Sequence, residues 1–337
     1  MPPLISVVVA TLNEERHIGR ILDQMLAQEA VDGDIEILVA DGGSSDRTRE
    51  IVASYASGGK VRLVENLKRH QVYGFNLALR AARGSMVCLI GGHASFPSNY
   101  LARCMAVKRR TGAANVGGVI RHQGDGPIGE AIALAMTSPI GVGNAKFRLA
   151  RREQPCDSVM GLFCDRRIFD EIGYFNESSI VNQDGEFNYR LRAAGYTVLV
   201  SPEIECTYFV RPSITALGRQ YYRYGYYRRW TEVQHPGSVP WRVYAPPLLL
   251  ATLAASAALI AAGHYAAGLA VPVLYAGVLI AAASDGLRRS KKLAVALLEP
   301  LAAATMHLAF GAGWIHGLLV HRKPSPAGQP STAFTPL

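Results

Sequence analysis

The sequence predicts an α/β protein, a mostly parallel sheet flanked by helices, followed by C-terminal helices apolar enough to enter a membrane. Three observations predict it. Short apolar, β-branched runs alternate with helical segments from residue 5 to residue 90. Charges nearly vanish from long stretches after residue 240. Apolar residues make up 49% of the 337 and charged ones only 18%, which excludes a disordered or low-complexity chain.

Taken in order, residues 5–10 form a buried strand and residues 14–28 a helix. Residues 35–40 are the second strand, 46–56 the second helix, 61–65 the third strand, 71–83 the third helix and 86–90 the fourth strand. Continuous apolar strands between helices imply a sheet covered on both faces. Ligands of such sheets gather at the carboxyl ends of the strands. The loops at 11–15, 41–46 and 91–94 all sit there, around one crevice. Residues 96–210 are more mixed, with strands expected at 115–120 and 197–201 and helices at 166–172 and 186–194. This half extends the sheet and builds a second substrate site.

Residues 243–263 and 264–284 contain no charge and are each long enough to span a bilayer, joined only by a tight Gly-His-Tyr turn. A basic stretch, 285–292, follows with Arg288, Arg289, Lys291 and Lys292. By the positive-inside rule that stretch faces the cytoplasm, and two crossings put the N-terminal part there too. Residues 293–320 are a third apolar stretch, interrupted by Glu299-Pro300, His307 and His316. Both a full span and a broken, re-entrant or interfacial helix fit it. Residues 324–337, rich in Pro, Ser and Gly, read as a disordered tail.

Lys and Arg number 35 against 26 Asp and Glu, a net charge of +9 that suits an anionic partner: nucleic acid, a phosphate-bearing substrate or an acidic membrane face. The five cysteines are scattered, with no Cys-x-x-Cys, so neither a disulfide framework nor a zinc site is signalled. The first residues lack the basic n-region and cleavage site of a signal peptide. No Gly-x-Gly-x-x-Gly follows the first strand and no Gly-x-x-x-x-Gly-Lys-Ser/Thr occurs, which disfavours a nicotinamide dehydrogenase and a P-loop enzyme. The crevice is lined instead by Asn13, Glu14, Asp41, Ser44, Ser45, Asp46 and His93. Carboxylates there serve either to accept from sugar hydroxyls or a base edge, or to hold a hard cation bridging a diphosphate. Asp41 ends its strand, where it is either a turn cap or a ligand contact. Asp46 reads first as a helix cap.

Several motifs carry a resemblance. Ser6-Val-Val-Val-Ala-Thr-Leu-Asn-Glu-Glu15 followed by Ile37-Leu-Val-Ala-Asp-Gly-Gly-Ser-Ser-Asp-Arg-Thr48 resembles the opening of family 2 glycosyltransferases with the GT-A fold, a Rossmann-like, mostly parallel sheet flanked by helices. Asn66-Leu-Lys-Arg-His-Gln71 with Asn76, Gly141-Val-Gly-Asn-Ala145, Gly173-Tyr-Phe-Asn-Glu177 and Asn182-Gln-Asp-Gly-Glu-Phe-Asn-Tyr-Arg-Leu191 resemble a bacterial exopolysaccharide subgroup of that family. Gln220-Tyr-Tyr-Arg-Tyr-Gly225 and Met306-His-Leu-Ala-Phe-Gly311 extend the resemblance into the membrane part, so that it covers nearly all of the chain except the tail. It implies an inverting transfer of a hexose from a nucleotide-diphosphate sugar, UDP-sugar foremost. Asp41, with Thr11, Asn13, Glu14 and Gly92 of the neighbouring loops, matches nucleotide-sugar positions, and Lys68 or Arg69 matches a basic position near the nucleotide. Asp184 matches the general base that takes the acceptor's proton, at a helix start where an N-cap is its bland role. Glu186 orients or sits nearby. Gln220, Arg223 and Tyr224 resemble the Gln-x-x-Arg-Trp that contacts acceptor and diphosphate in membrane polysaccharide synthases, with Tyr for Trp. Arg offers a planar fork for phosphate and an aromatic ring a stacking face for sugar. The same segment, 219–230, holds four Arg, five Tyr and one Trp, which also suits an interfacial helix anchored among lipid headgroups.

One motif departs from the family pattern. After the fourth strand the family places Asp-x-Asp, or in this subgroup Asp-x-His, to hold Mg²⁺ or Mn²⁺. Here the strand ends Leu89-Ile-Gly-Gly-His93, so Gly91 replaces the first Asp and His93 is left as the metal candidate. A lone imidazole is a poor ligand for a hard cation. Metal held by His93, another acid and the diphosphate, a metal-independent enzyme relying on Lys68, Arg69 or Arg223, and a catalytically silent nucleotide-binding membrane protein all remain open. The reading is a cytosol-facing catalytic domain over 1–235, with an interfacial segment at 211–235, on a membrane domain over 243–320. Its acceptor is a lipid-linked saccharide in extracellular polysaccharide or glycoconjugate synthesis, or alternatively a bare polyprenyl phosphate. No nucleic-acid partner is expected.

Overall fold

A computed structural model describes residues 4–29, 33–92 and 94–320. His93 and the tail at 324–337, both named above, lie outside the described residues. The chain opens as expected: β1 (Ile5–Thr11), α1 (Ile18–Leu26), β2 (Ile35–Asp41), α2 (Thr48–Ala56), β3 (Val61–Glu65), α3 (Gln71–Ala81) and β4 (Met86–Ile90). It continues through β5 (Ala94–Ser95), α4 (Tyr100–Thr111), β6 (Asn115–Gln123), α5 (Gly126–Met136), α6 (Pro139–Val142), α7 (Lys146–Leu149), β7 (Gln154–Pro155) and β8 (Leu162–Asp165). Then come α8 (Ile168–Ile172), α9 (Gln183–Ala193), β9 (Val198–Phe209), α10 (Ile214–Gln234), a 3-10 turn (Trp241–Tyr244), α11 (Ala245–Ala261), α12 (Tyr265–Ser290) and α13 (Leu293–Leu319).

The strands make one sheet in the order β3-β2-β1-β4-β8-β6-β9-β5, with β7 paired to β9 off that path. The first four run parallel, and β8 inserts antiparallel between β4 and β6. Register aligns Thr11 with Asp41 and Asp41 with Glu65, so these strands end at one edge. Alternation splits their apolar residues between the two faces. Val7, Val9, Ile37 and Val39 pack with Ile18, Leu22, Val52 and Leu101, while Val8, Leu38 and Ala40 pack with Val72, Phe75, Phe169 and Phe187.

The sequence missed β8 and underestimated β9, which continues past Ser201 through Pro202 to Phe209. Pro202 signals a break, yet it is tolerated beside the irregularity at Gly118/Val119 where pairing with β6 shifts register. A second difference lies at the basic stretch 285–292. It is not a loop over most of its length, because α12 runs on to Ser290 and Asp285 pairs with Arg288 and Arg289 along it.

At the opposite end of β2, Glu36 is 3% exposed and accepts from Ser6 Oγ at 2.6 Å, Arg83 N at 2.6 Å, Arg83 Nε at 3.1 Å and Arg62 Nη1 at 3.2 Å. Burial alone would raise its pKa, but the bonds from Ser6 and Arg83 outweigh it and hold the carboxyl below its usual range. A depressed folded pKa contributes stability above the unfolded value, lost as pH falls through the folded one. Glu36→Gln is therefore expected to cost about 2 kcal/mol at neutral pH, with the difference shrinking in acid. Thermal midpoints of wild type and variant across pH check this.

Candidate active site

The polar loops meet where the strand register predicts. Asn13, with φ 56°, turns the chain after β1 and accepts from Ser45 N at 2.9 Å, while its own N–H reaches Ser44 Oγ at 2.9 Å. Asp46 fastens the same two loops, accepting from Glu15 N at 3.1 Å and Thr48 N at 3.0 Å at the head of α2. Asp41 is fully buried. Its carboxylate accepts from the N–H groups of Gly43 and Ser44, both at 3.0 Å, and faces Arg49 Nη1 at 3.4 Å. It thus fills the turn-capping role at the crevice floor. Thr11 beside it is buried, and its hydroxyl has no protein partner.

The segment 66–71 closes one wall. Asn66 N donates to Asp41 O at 2.8 Å, and the backbone of Arg69, φ 62°, packs on Gly42. Lys68 lies 3.6 Å from Glu177 and 4.1 Å over the Tyr73 ring, whereas the exposed Arg69 side chain points away from the core. Asn76 grips Phe175 through two hydrogen bonds, at 2.9 and 3.0 Å, and Gln71 meets Gln183 at 3.4 Å. The segment 66–76 is thereby tied to the segment that carries Asp184.

Asp184 sits partly buried at the start of α9. Its Oδ1 accepts from Gly185 N at 2.8 Å, and Arg228 of α10 comes so close that a Cβ on Gly185 would lie 3.1 Å from Arg228 Nη1. Burial pushes the Asp184 pKa up, while the Gly185 N–H and the Arg228 charge pull it back. Glu186 behind it is 1% exposed with both oxygens occupied: Oε1 by Arg190 Nε at 2.8 Å and by His235 Nε2 at 3.0 Å, Oε2 by Arg190 Nη2 at 3.0 Å. It ties α9 to the end of α10.

On α10, Gln220 is buried and donates to Tyr208 Oη at 3.1 Å and Tyr224 Oη at 2.9 Å, leaving its own Oε1 unpartnered. Tyr224 completes that pair. Arg223 is exposed, 200° round the helix from Gly225, which packs on α13. Arg228, two turns on from Gln220, is the α10 arginine nearest Asp184. The sequence reading missed it, although its spacing from Gln220 and Tyr224 was a readable signal. Arg148 was missed as well. It donates to Tyr221 Oη at 3.0 Å, its Nε is buried without a partner, and its charge reaches Arg228. No motif marks it, because it comes from the short α7.

The metal loop is sparse. A Cβ on Gly91 would meet nothing within 4 Å, so an acid there would have room, but none is present. The carboxylate placed against this loop is Glu14, 3.4 Å from where a Cβ of Gly92 would lie. Burial raises its pKa, with His17 and Arg211 opposing. A hard cation asks for several oxygens, and among the described residues no group of three His, Cys, Asp or Glu side chains would hold one. The described donors do not fit a protein-built Mg²⁺ or Mn²⁺ centre.

Comparison with known proteins follows the same lines. The sequence model described as glycosyl transferase family 2 matches residues 6–173. The succinoglycan biosynthesis protein ExoA of Rhizobium meliloti is 29% identical over 323 residues, covering 94% of this chain and 96% of that protein. A dolichyl N-acetyl-alpha-D-glucosaminyl phosphate 3-beta-D-2,3-diacetamido-2,3-dideoxy-beta-D-glucuronosyltransferase of Methanococcus voltae is 27% identical over 230 residues, 66% of this chain and 71% of that one. Among solved structures, the mannosyltransferase PcManGT from Pyrobaculum calidifontis, in complex with GDP-Man and Mn²⁺, superposes with a TM-score of 0.61 over 96% of this chain and 89% of that one, at 21% identity. At that identity the likeness speaks for the fold.

Proposed function

The chain belongs to glycosyl transferase family 2, and from that premise we propose that it moves a hexose, with inversion, from a nucleotide-diphosphate sugar to a lipid-linked saccharide. The observation that carries this reading is Asp184 beside Arg228 at the head of α9, fastened to the Asp41 crevice through Gln71 and Gln183. Asp184 accepts the proton of the acceptor hydroxyl as its oxygen attacks the anomeric carbon. The bond from that carbon to the diphosphate oxygen breaks, and the nucleoside diphosphate leaves with the electron pair. Arg228 and Arg148 stabilise the charge that develops there, in place of donors the Gly91 loop lacks. Thr11, Asn13, Asp41, Lys68, Arg69 and Gly92 border the nucleotide sugar, UDP-sugar foremost. Gln220, Arg223 and Tyr224 border the acceptor.

The membrane part supports a lipid-borne acceptor. Three helices among the described residues are long and apolar enough to cross a bilayer. The basic residues around Arg288 to Lys292 favour the cytoplasmic side for the catalytic domain.

The test uses full-length protein in nanodiscs with bacterial lipid extract, a nucleotide-sugar panel, and Mg²⁺, Mn²⁺ or chelator. Nucleotide release and a product with sugar linked to sugar support the reading. A product linked through phosphate points to a polyprenyl-phosphate acceptor, and nucleotide binding without release points to a silent protein. Chelator-resistant release is expected if the arginines carry the diphosphate. Arg228→Ala is expected to lower transfer about 10²–10³-fold, the scale of a lost charge-stabilising contact, with partial rescue by Arg228→Lys. Arg228 holds the Asp184 pKa down, so its loss should also move the acid limb of the rate profile to higher pH.

A further inference from the structure

We propose that α13 lies along the membrane surface and does not cross the bilayer, so that its end at Val320 remains on the side of the catalytic domain. The proposal rests on the membrane-anchored reading above. At about 1.5 Å per residue, the 27 residues of α13 are long enough to span. Their neighbours forbid it.

Both halves of α13 are seated on the catalytic domain. At its start, Lys292 Nζ pairs with Glu130 at 2.7 Å, and Ala302, Ala303 and Met306 pack with Ile132, Ala135 and Met136 of α5. His307 Nε2 meets Ile140 O at 2.9 Å. Further on, α10 runs beside α13 in the same direction. A Cβ on Gly225 would lie 2.0 Å from Phe310 O, one on Gly313 would lie 2.0 Å from Tyr222 O, and Tyr222 Oη meets His316 Nδ1.

That stretch of α10 bears Arg219, Arg223, Arg228 and Arg229, and Arg228 abuts Asp184. Were Leu293 at one interface of a crossing helix, residues 305–317 would lie roughly 18–36 Å deep. Arg219 and Arg223 would be dragged into a hydrocarbon core about 30 Å thick, at about 2.5–3.5 kcal/mol per central charge, and Arg228 with the crevice would be carried through to the far interface. Entry from the other end would drag in α5 with the Lys292–Glu130 pair instead.

The exposed side chains agree. Leu293, Leu297, Leu301, Leu308, Leu318 and Leu319 are the large apolar residues exposed on α13. At 100° per residue they fall within about 100° of one another. Val295, Ala302, Met306 and Gly313 occupy the opposite, buried side. One apolar stripe backed by protein is the pattern of a helix lying in the interface. Exposed Arg288, Lys291 and Lys292 stand at its start, placed for anionic headgroups. The α11–α12 hairpin does not change the side of the chain. It leaves beside Gly311, where Pro246 O packs, and α12 comes back antiparallel along the first half of α13, Tyr275 Oη meeting His307 Nδ1 at 3.1 Å and Gly286 packing on Glu299, so that this part of α12 lies obliquely with it.

The test places one epitope before Met1 and another after Leu337 of the full-length chain. Each is probed with protease in sealed membrane vesicles of both orientations. Both epitopes are expected to be cut from the same face and protected from the other. Cleavage from opposite faces would overturn the proposal and leave the transfer reading intact. Recovery of the chain in the soluble fraction would overturn it together with the membrane part of that reading.

Discussion

Replacing Asp184 by Asn is expected to lower sugar transfer by about 10²–10⁴-fold, the scale of a lost general base, while nucleotide binding stays unchanged. Asn is isosteric and can still accept the Gly185 N–H at the head of α9. The local turn should persist, and what is lost is the basic oxygen. The N-cap role predicts a different result: Asn caps nearly as well as Asp, so a purely structural Asp184 would leave transfer close to wild type. Rates at saturating donor and acceptor, alongside nucleotide titration by calorimetry, separate the two. The wild-type pH profile adds a second check. Burial raises the Asp184 pKa, so the base is lost as pH falls through a value above that of an ordinary aspartate, and the Asn variant should show no such limb.

The second large effect is structural. Gly225→Val is expected to destabilise the protein by about 3 kcal/mol or more, at the upper end of overpacking costs, and to abolish most transfer. Even a methyl group at 225 would lie 2.0 Å from Phe310 O and 2.9 Å from Trp314 N, both backbone atoms that no rotamer change moves. Relief requires α10 and α13 to separate, and α10 carries Gln220, Tyr224 and Arg228. Gly277→Ala is the control. That glycine also sits inside a helix, the apolar α12, with nothing within 4 Å of an added Cβ, and its substitution should be neutral or stabilising by up to about 1 kcal/mol. Thermal midpoints in detergent and transfer rates of both variants test the argument.

The difference between these glycines shows where sequence reading stops. Gly225 and Gly277 look alike in a string of letters, since both interrupt helices. Only the neighbouring backbone of α13 makes one indispensable. Arg228 and Arg148 are similar cases. Arg228 lies one turn beyond the motif that drew attention to Arg223, and Arg148 reaches Tyr221 across 73 residues. The helical spacing of Arg228 shows its face of α10 but not what that face meets, and the reach of Arg148 has no local periodicity to reveal it. Glu186 is the reverse case. A motif acid beside the proposed base invites a role in binding, yet Arg190 and His235 engage both of its oxygens.

The sequence by itself determined the family, the α/β alternation of the first four strands and the loops that meet at their ends. Each depends on local pattern: buried parallel strands read as continuous apolar runs, and loop chemistry stays within a few residues. It also determined that the C-terminal third holds helices apolar enough for lipid. The tertiary structure alone decided the antiparallel insertion of β8, the approach of Arg228 to Asp184 and the seating of α13. Hydropathy measures what a helix is made of. Which side of it meets protein and which meets lipid depends on what packs against it, and for α13 that includes α5 and α10, both more than fifty residues earlier in the chain.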